Sequence, residues 1–174
     1  MEWLKPTVVE PLLVNVRPYD SDDADGLWTL KRGFELGLGA GTGGDEKEAK
    51  YEAKLTDEYR ENWLAWVDDC VADDERCVTV AVDEDELVGY VFVLPASMAF
   101  IWDAAVLNEV YVAPDYRGTG VADDLMESAL DLARDMELPL DRLVLDVDRE
   151  NDRARAFYDR YGFDHWGELV ARDL

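Results

Sequence analysis

The chain has 174 residues, 48% of them hydrophobic, with six Trp, eight Tyr and five Phe, so it can bury one full core and reads as a single domain over 1–174. Its 41 Asp and Glu against 17 Lys and Arg give a formal net charge of -24, which excludes nucleic acid and anionic membranes as partners because both demand a basic face. Two cysteines, Cys70 and Cys77, make neither a disulfide framework nor a metal pattern, and no stretch approaches the roughly 18 apolar residues of a membrane span. A cytoplasmic protein with reduced thiols and no metal is expected.

Leu12 to Arg17 reads as a first strand, stopped by Pro18. Ser21 or Asp22 then caps a helix to about Leu36, with Leu27, Leu30 and Phe34 at helical spacing. Gly39, Gly41 and Gly44 spell G-x-G-x-x-G, but the run follows a helix where a dinucleotide fingerprint must follow a strand. Gly37 to Gly44 is therefore expected to be a mobile connection. A long helix is predicted from about Glu46 to Ala72, where Tyr51, Leu55, Tyr59, Trp63, Trp66 and Cys70 make an apolar stripe. Cys77 to Val82 and Leu87 to Leu94 should pair as a hairpin across the acidic turn Asp83 to Glu86. Met98, Phe100, Ile101 and Trp102 are too apolar for a solvated loop.

The most informative stretch is Asn108 to Ala122. Val110 and Val112 alternate with Glu109 and Tyr111 as in a half-buried strand, and Pro114-Asp115 marks a turn. Arg117-Gly118-Thr119-Gly120-Val121-Ala122 then opens an amphipathic helix to about Glu137 with Val121, Leu125, Ala129, Leu132 and Met136 on one face. A helix start binds anions, because its first N–H groups lack intrahelical partners at the positive end of the macrodipole. Gly118 and Gly120 carry no Cβ to hold a phosphate away, and Arg117 adds a permanent cation. Arg142 to Val147 is a further strand, parallel to the one before the helix by the crossover rule. Asn151 caps a helix to about Tyr161, Gly162 ends it, and Trp166 to Arg172 offers a last strand.

The Arg117-Gly118-x-Gly120-x-Ala122 run after Tyr111-Val112-Ala113-Pro114 resembles the R/Q-x-x-G-x-G/A signature of the GNAT superfamily of acyl-CoA-dependent N-acyltransferases. Asn151-x-x-Ala154-x-x-Phe157-Tyr158-x-x-Tyr161-Gly162-Phe163 is similar to that family's final helix and its Tyr, in the family's order. Together with the order of elements, the resemblance implies an α/β fold. Its single mixed, mostly antiparallel sheet would have six to seven strands and about four flanking helices, with a parallel βαβ pair around the coenzyme site.

It further implies an N-acetyltransferase that moves an acetyl group from acetyl-CoA to a primary amine by direct attack in a ternary complex. Arg117, Gly118, Thr119, Gly120, Val121 and Ala122 would hold the coenzyme A pyrophosphate. Val110, Tyr111 and Val112 would pair their backbone with the pantetheine, and Asn151 would contact the pantetheine arm. Tyr158 would be the general acid, since a phenol of pKa about 10 is protonated at neutral pH and can donate to a departing thiolate. Glu109 on the central strand is the candidate base, with Glu35 and Asp103 as alternatives. The acceptor would be a small-molecule or peptide amine, and a homodimer is compatible with the resemblance. A non-catalytic acyl-CoA-binding sensor of the same fold is the alternative; intact Tyr158 and both glycines favour the enzyme. The acidic excess, with five lysines, resembles the proteins of salt-loving archaea.

Overall fold

The computed structural model describes residues 13–41, 44–172 and 174. Five strands form one sheet in the order β1 (Val14–Pro18), β2 (Val78–Asp83), β3 (Glu86–Val93), β4 (Ala105–Val112) and β5 (Leu143–Val144). Neighbours among the first four are antiparallel, and β5 lies parallel to β4. The helices are α1 (Ala24–Gly41), α2 (Gly44–Ala53), α3 (Asp57–Asp73), α4 (Val121–Asp135) and α5 (Asp152–Arg160).

β2 and β3 are buried along most of their length, because helices cover the sheet on both faces. On one face Leu27 and Leu30 of α1 and Trp63, Val67 and Cys70 of α3 pack on Val78, Val80, Tyr90 and Phe92. On the other, Val121, Leu125, Met126, Ala129 and Leu132 of α4 and Tyr158 of α5 pack on Ala81, Val88, Val91, Leu107 and Val112. Met126 joins the anticipated face of α4, and Met136 is only half-buried. The β2–β3 hairpin and the parallel β4–α4–β5 unit form as the sequence suggests.

Several boundaries differ from the sequence reading. The sheet has five strands among the described residues, not six or seven, because 166–172 form no strand. The long helix is two, because Thr56 interrupts it. The Thr56 backbone is extended, and its hydroxyl caps α3 by accepting from the Tyr59 N–H at 3.2 Å. That is the ordinary behaviour of a threonine before an acidic first turn, here Asp57 and Glu58. Gly37–Gly41 is not a loop but the last turn of α1; Thr42 and Gly43 lie outside the described residues. In the Ala96–Ile101 3-10 segment only Ala99 is buried. Phe100, Ile101 and Trp102 are exposed, contrary to expectation, and Trp102 meets the Trp166 ring edge-on at 6.1 Å.

Candidate active site

The site forms where β4 leaves its neighbour. β4 pairs with β5 only at Ala105 and Val106, so from Leu107 onward its outer edge is open. On its other side it stays paired to β3, with a register shift that sets Phe92 opposite Glu109 and Val93 opposite Leu107, leaving Asn108 as an extra bulged residue. A bulge re-aims the strand and interrupts its ladder, which is why bulges recur beside functional sites. The Ala113 N–H bonds Val88 O at 2.8 Å. By antiparallel alternation, Tyr111 and Glu109 turn their backbone groups to β3, while Val110 and Val112 turn theirs to the open edge. Of the three residues expected to pair with pantetheine, Val110 and Val112 lie on the edge-facing alternation and Tyr111 on the one bonded to β3. Tyr111 instead sends its side chain against α1, where a Cβ on Gly33 would sit 2.5 Å from its hydroxyl.

Beyond β4, Gly118 (φ 74) and Gly120 (φ 96) adopt left-handed backbone, and Gly120 is the N-cap of α4. The Asp124 N–H is the one that reaches Gly120 O, at 3.1 Å, so the N–H groups of Val121, Ala122 and Asp123 have no intrahelical acceptor. A Cβ at either glycine would meet nothing within 4 Å; the glycines are required by backbone angle and by what must approach them. Arg117 is anchored by Nε to Val112 O at 3.1 Å, with its guanidinium 5.6 Å from the Tyr111 ring.

Asn151 caps α5 by accepting from the Ala154 N–H at 3.1 Å. Tyr158 is buried with Val112 and Val121, its ring edge-on to Phe157 and Phe163. Burial pushes its phenol up to about 12. Arg153, in the first turn of α5, was not foreseen. Burial and then the positive charge of Arg117 hold it below the ordinary arginine range. The sequence signal was a cation at a helix start, where the macrodipole disfavours it.

Glu109 points to the opposite face and is 6% exposed. Its Oε1 bonds Lys31 Nζ at 2.5 Å, and its Oε2 accepts from the Tyr90 hydroxyl at 2.7 Å. Lys31 also pairs with Glu35 Oε1 at 2.7 Å, between the rings of Phe34 and Trp63. Burial lowers the Lys31 pKa, but the two carboxylates outweigh it and hold the ammonium above its usual range. Burial pushes the Tyr90 phenol well up, and Glu109 adds to this. For Glu35, burial is outweighed by Lys31 and Lys54, which keep it below the usual carboxylate range. Asp103 is exposed on the turn before β4 with φ 54 and takes no part in this cluster. Cys70 and Cys77 are buried free thiols, and His165 is exposed.

An open strand edge thus runs beside a helix start flanked by two left-handed glycines, with Tyr158 of α5 packed against the same region. The chain belongs to the acetyltransferase (GNAT) family, whose sequence profile matches residues 44–163. An uncharacterized N-acetyltransferase of Mycobacterium tuberculosis is 33% identical over 94 residues, which are 53% of this chain and 56% of that protein. The chain thus matches little more than half the length of that relative. A peptidyl-lysine N-acetyltransferase of Salmonella typhimurium is 29% identical over 120 residues, 69% of this chain and 71% of that protein. An N-acetyltransferase of Thermoplasma acidophilum, solved with coenzyme A, shares the fold with a TM-score of 0.64 at 19% identity, over 87% of this chain and 89% of that one.

Proposed function

We propose that this chain transfers an acetyl group from acetyl-CoA to a primary amine by direct attack in a ternary complex. The observation that carries the reading is the open edge of β4 running into the Gly118 and Gly120 cradle. Val110 offers its backbone N–H and C=O to the pantetheine amides and Val112 its N–H, the Val112 carbonyl being taken by Arg117, with Asn151 across the slot. The N–H groups at the start of α4, with Arg117 and Arg153, hold the pyrophosphate. Tyr158 donates the proton to the departing thiolate. Its pKa of about 12 does not disqualify it, because the dry surroundings that weaken a phenol as an acid make a thiolate a stronger base. Glu109, paired with Lys31, takes the amine's proton through water.

The acceptor of the Salmonella relative is, by name, a lysine side chain, which supports a primary amine as the acceptor here. The acidic excess supports a salt-rich cytoplasm of the kind found in salt-loving archaea, and among the described residues no helix is long and apolar enough to cross a membrane. Thiol release from acetyl-CoA, measured with a panel of amines, tests the reading. Amine-dependent release is expected; coenzyme binding without release for any amine would make the chain an acyl-CoA sensor.

A further inference from the structure

The cluster on the α1 face holds two of the chain's own ammonium groups, and it holds them differently. Lys31 is enclosed, at 2% exposure. Lys54 follows the last turn of α2 with its side chain 39% exposed, and its Nζ reaches Glu35 Oε2 at 2.6 Å. That oxygen is buried, and the Lys54 ammonium is the cation paired with it among the described residues. The rings of Tyr51 and Tyr59 lie 4.6 and 5.5 Å from the same ammonium. A desolvated carboxylate oxygen flanked by aromatic rings is the chemistry that recognises an alkylammonium. The other oxygen of Glu35 pairs with Lys31, which pairs with Glu109 on β4. This cation seat is therefore two ion pairs from the reaction strand.

We infer that Glu35, Tyr51 and Tyr59 form a seat for the second cationic group of a diamine or polyamine acceptor, and that Lys54 fills the seat when no acceptor is bound. The inference rests on the proposed acetyl transfer and names the acceptor class of that same site. An intrachain occupant lowers apparent affinity by the fraction of molecules in which the seat is filled. Vacating the seat should therefore strengthen binding of a diammonium ligand, the reverse of what loss of an ordinary lysine contact would do.

Calorimetry with butane-1,4-diamine and butylamine, in the presence of coenzyme A, tests this on wild type, Lys54→Met and Tyr51→Leu. In wild type the diamine should bind roughly tenfold tighter than the monoamine. Lys54→Met should widen that ratio about threefold or more, and Tyr51→Leu should narrow it. Equal affinity for the two amines in wild type and in Lys54→Met overturns the seat, as does a Lys54→Met protein that binds the diamine more weakly. Acetylation of both amines at the same kcat/KM in wild type and in Lys54→Met also removes the seat while leaving acetyl transfer intact. Selective diamine binding with no thiol release keeps the seat and removes the transfer reading.

Discussion

The Tyr161 hydroxyl donates to Asp123 Oδ1 at 2.7 Å, and Arg160 Nη2 reaches the same oxygen at 2.6 Å. The end of α5 is thereby tied to the first turn of α4. The same contacts pair with a carboxylate at the helix start proposed to hold a pyrophosphate. Releasing Asp123 by Tyr161→Phe with Arg160→Gln should weaken coenzyme A binding roughly two- to fivefold, the usual worth of a charge at a helix terminus. Asp123→Asn in that background should restore it. Calorimetry would decide, and a double variant of unchanged affinity would show that Asp123 does not face the ligand.

Much of this site was legible before the fold was known, because its parts are local. Gly118, Gly120 and Arg117 are contiguous, and the apolar face of α4 follows a 3.6-residue period that nothing competes with. Asn151 and Tyr158 share one short helix. What escaped notice is what folding brings together. Lys31 and Glu109 are 78 positions apart, and no periodicity pairs them. The bulge at Asn108 and the parting of β4 from β5 depend on how a whole sheet twists. The break at Thr56 was readable from Thr-Asp-Glu as a cap and acidic first turn, but the aromatic stripe on either side looked continuous. Trp166 to Arg172 has strand composition, yet composition does not supply a partner edge.

Tyr158→Phe should lower turnover about 10²- to 10⁴-fold, the range for a lost general acid, while the protein stays folded, since ring packing against Phe157 and Phe163 is kept. The phenol also bears on alkaline stability. Its pKa rises from 10.0 to about 12 on folding, and those of Cys70 and Cys77 rise from 9.0 to about 11 and about 12. Burial is the main cause in each. Groups raised by folding add stability below their unfolded values and lose it as pH climbs to the folded ones. Melting temperature should fall between about pH 9 and about pH 12, less steeply in Tyr158→Phe. Thermal melts across that range check this, and identical slopes for the two proteins would place the phenol in contact with solvent.

Removing Lys31 leaves Glu35 and Glu109 buried with one cation fewer. Lys31→Met should cost about 3–5 kcal/mol, as breaking a buried ion pair does. Adding Glu109→Gln should recover part of this, because the unpaired charge and not the lost attraction dominates the cost. Urea denaturation of the single and double variants measures both. A double variant less stable than the single would mean that Glu109 is stabilised by Tyr90 and Asn108 without Lys31.

The fold should be stabilised by salt. If every Lys and Arg were paired, 24 carboxylates would still lack a cation, and the compact state crowds them more than the unfolded chain does. Raising ionic strength from about 0.1 M to about 1 M shortens the Debye length from about 10 Å to about 3 Å, which removes most repulsion between exposed charges. The same screening weakens exposed pairs such as Arg76 with Asp135, Arg134 with Asp131 and Arg149 with Glu168. Each of these contributes about 1 kcal/mol or less. The inner pairs of Lys31 with Glu35 and Glu109 are shielded from solvent ions by burial. Repulsion summed over the acidic surface therefore outweighs what the exposed pairs lose, and the melting temperature should climb. Melts in about 0.05 M to about 3 M potassium chloride test it; a flat or falling midpoint would remove both the repulsion argument and the salt-rich setting proposed for this chain.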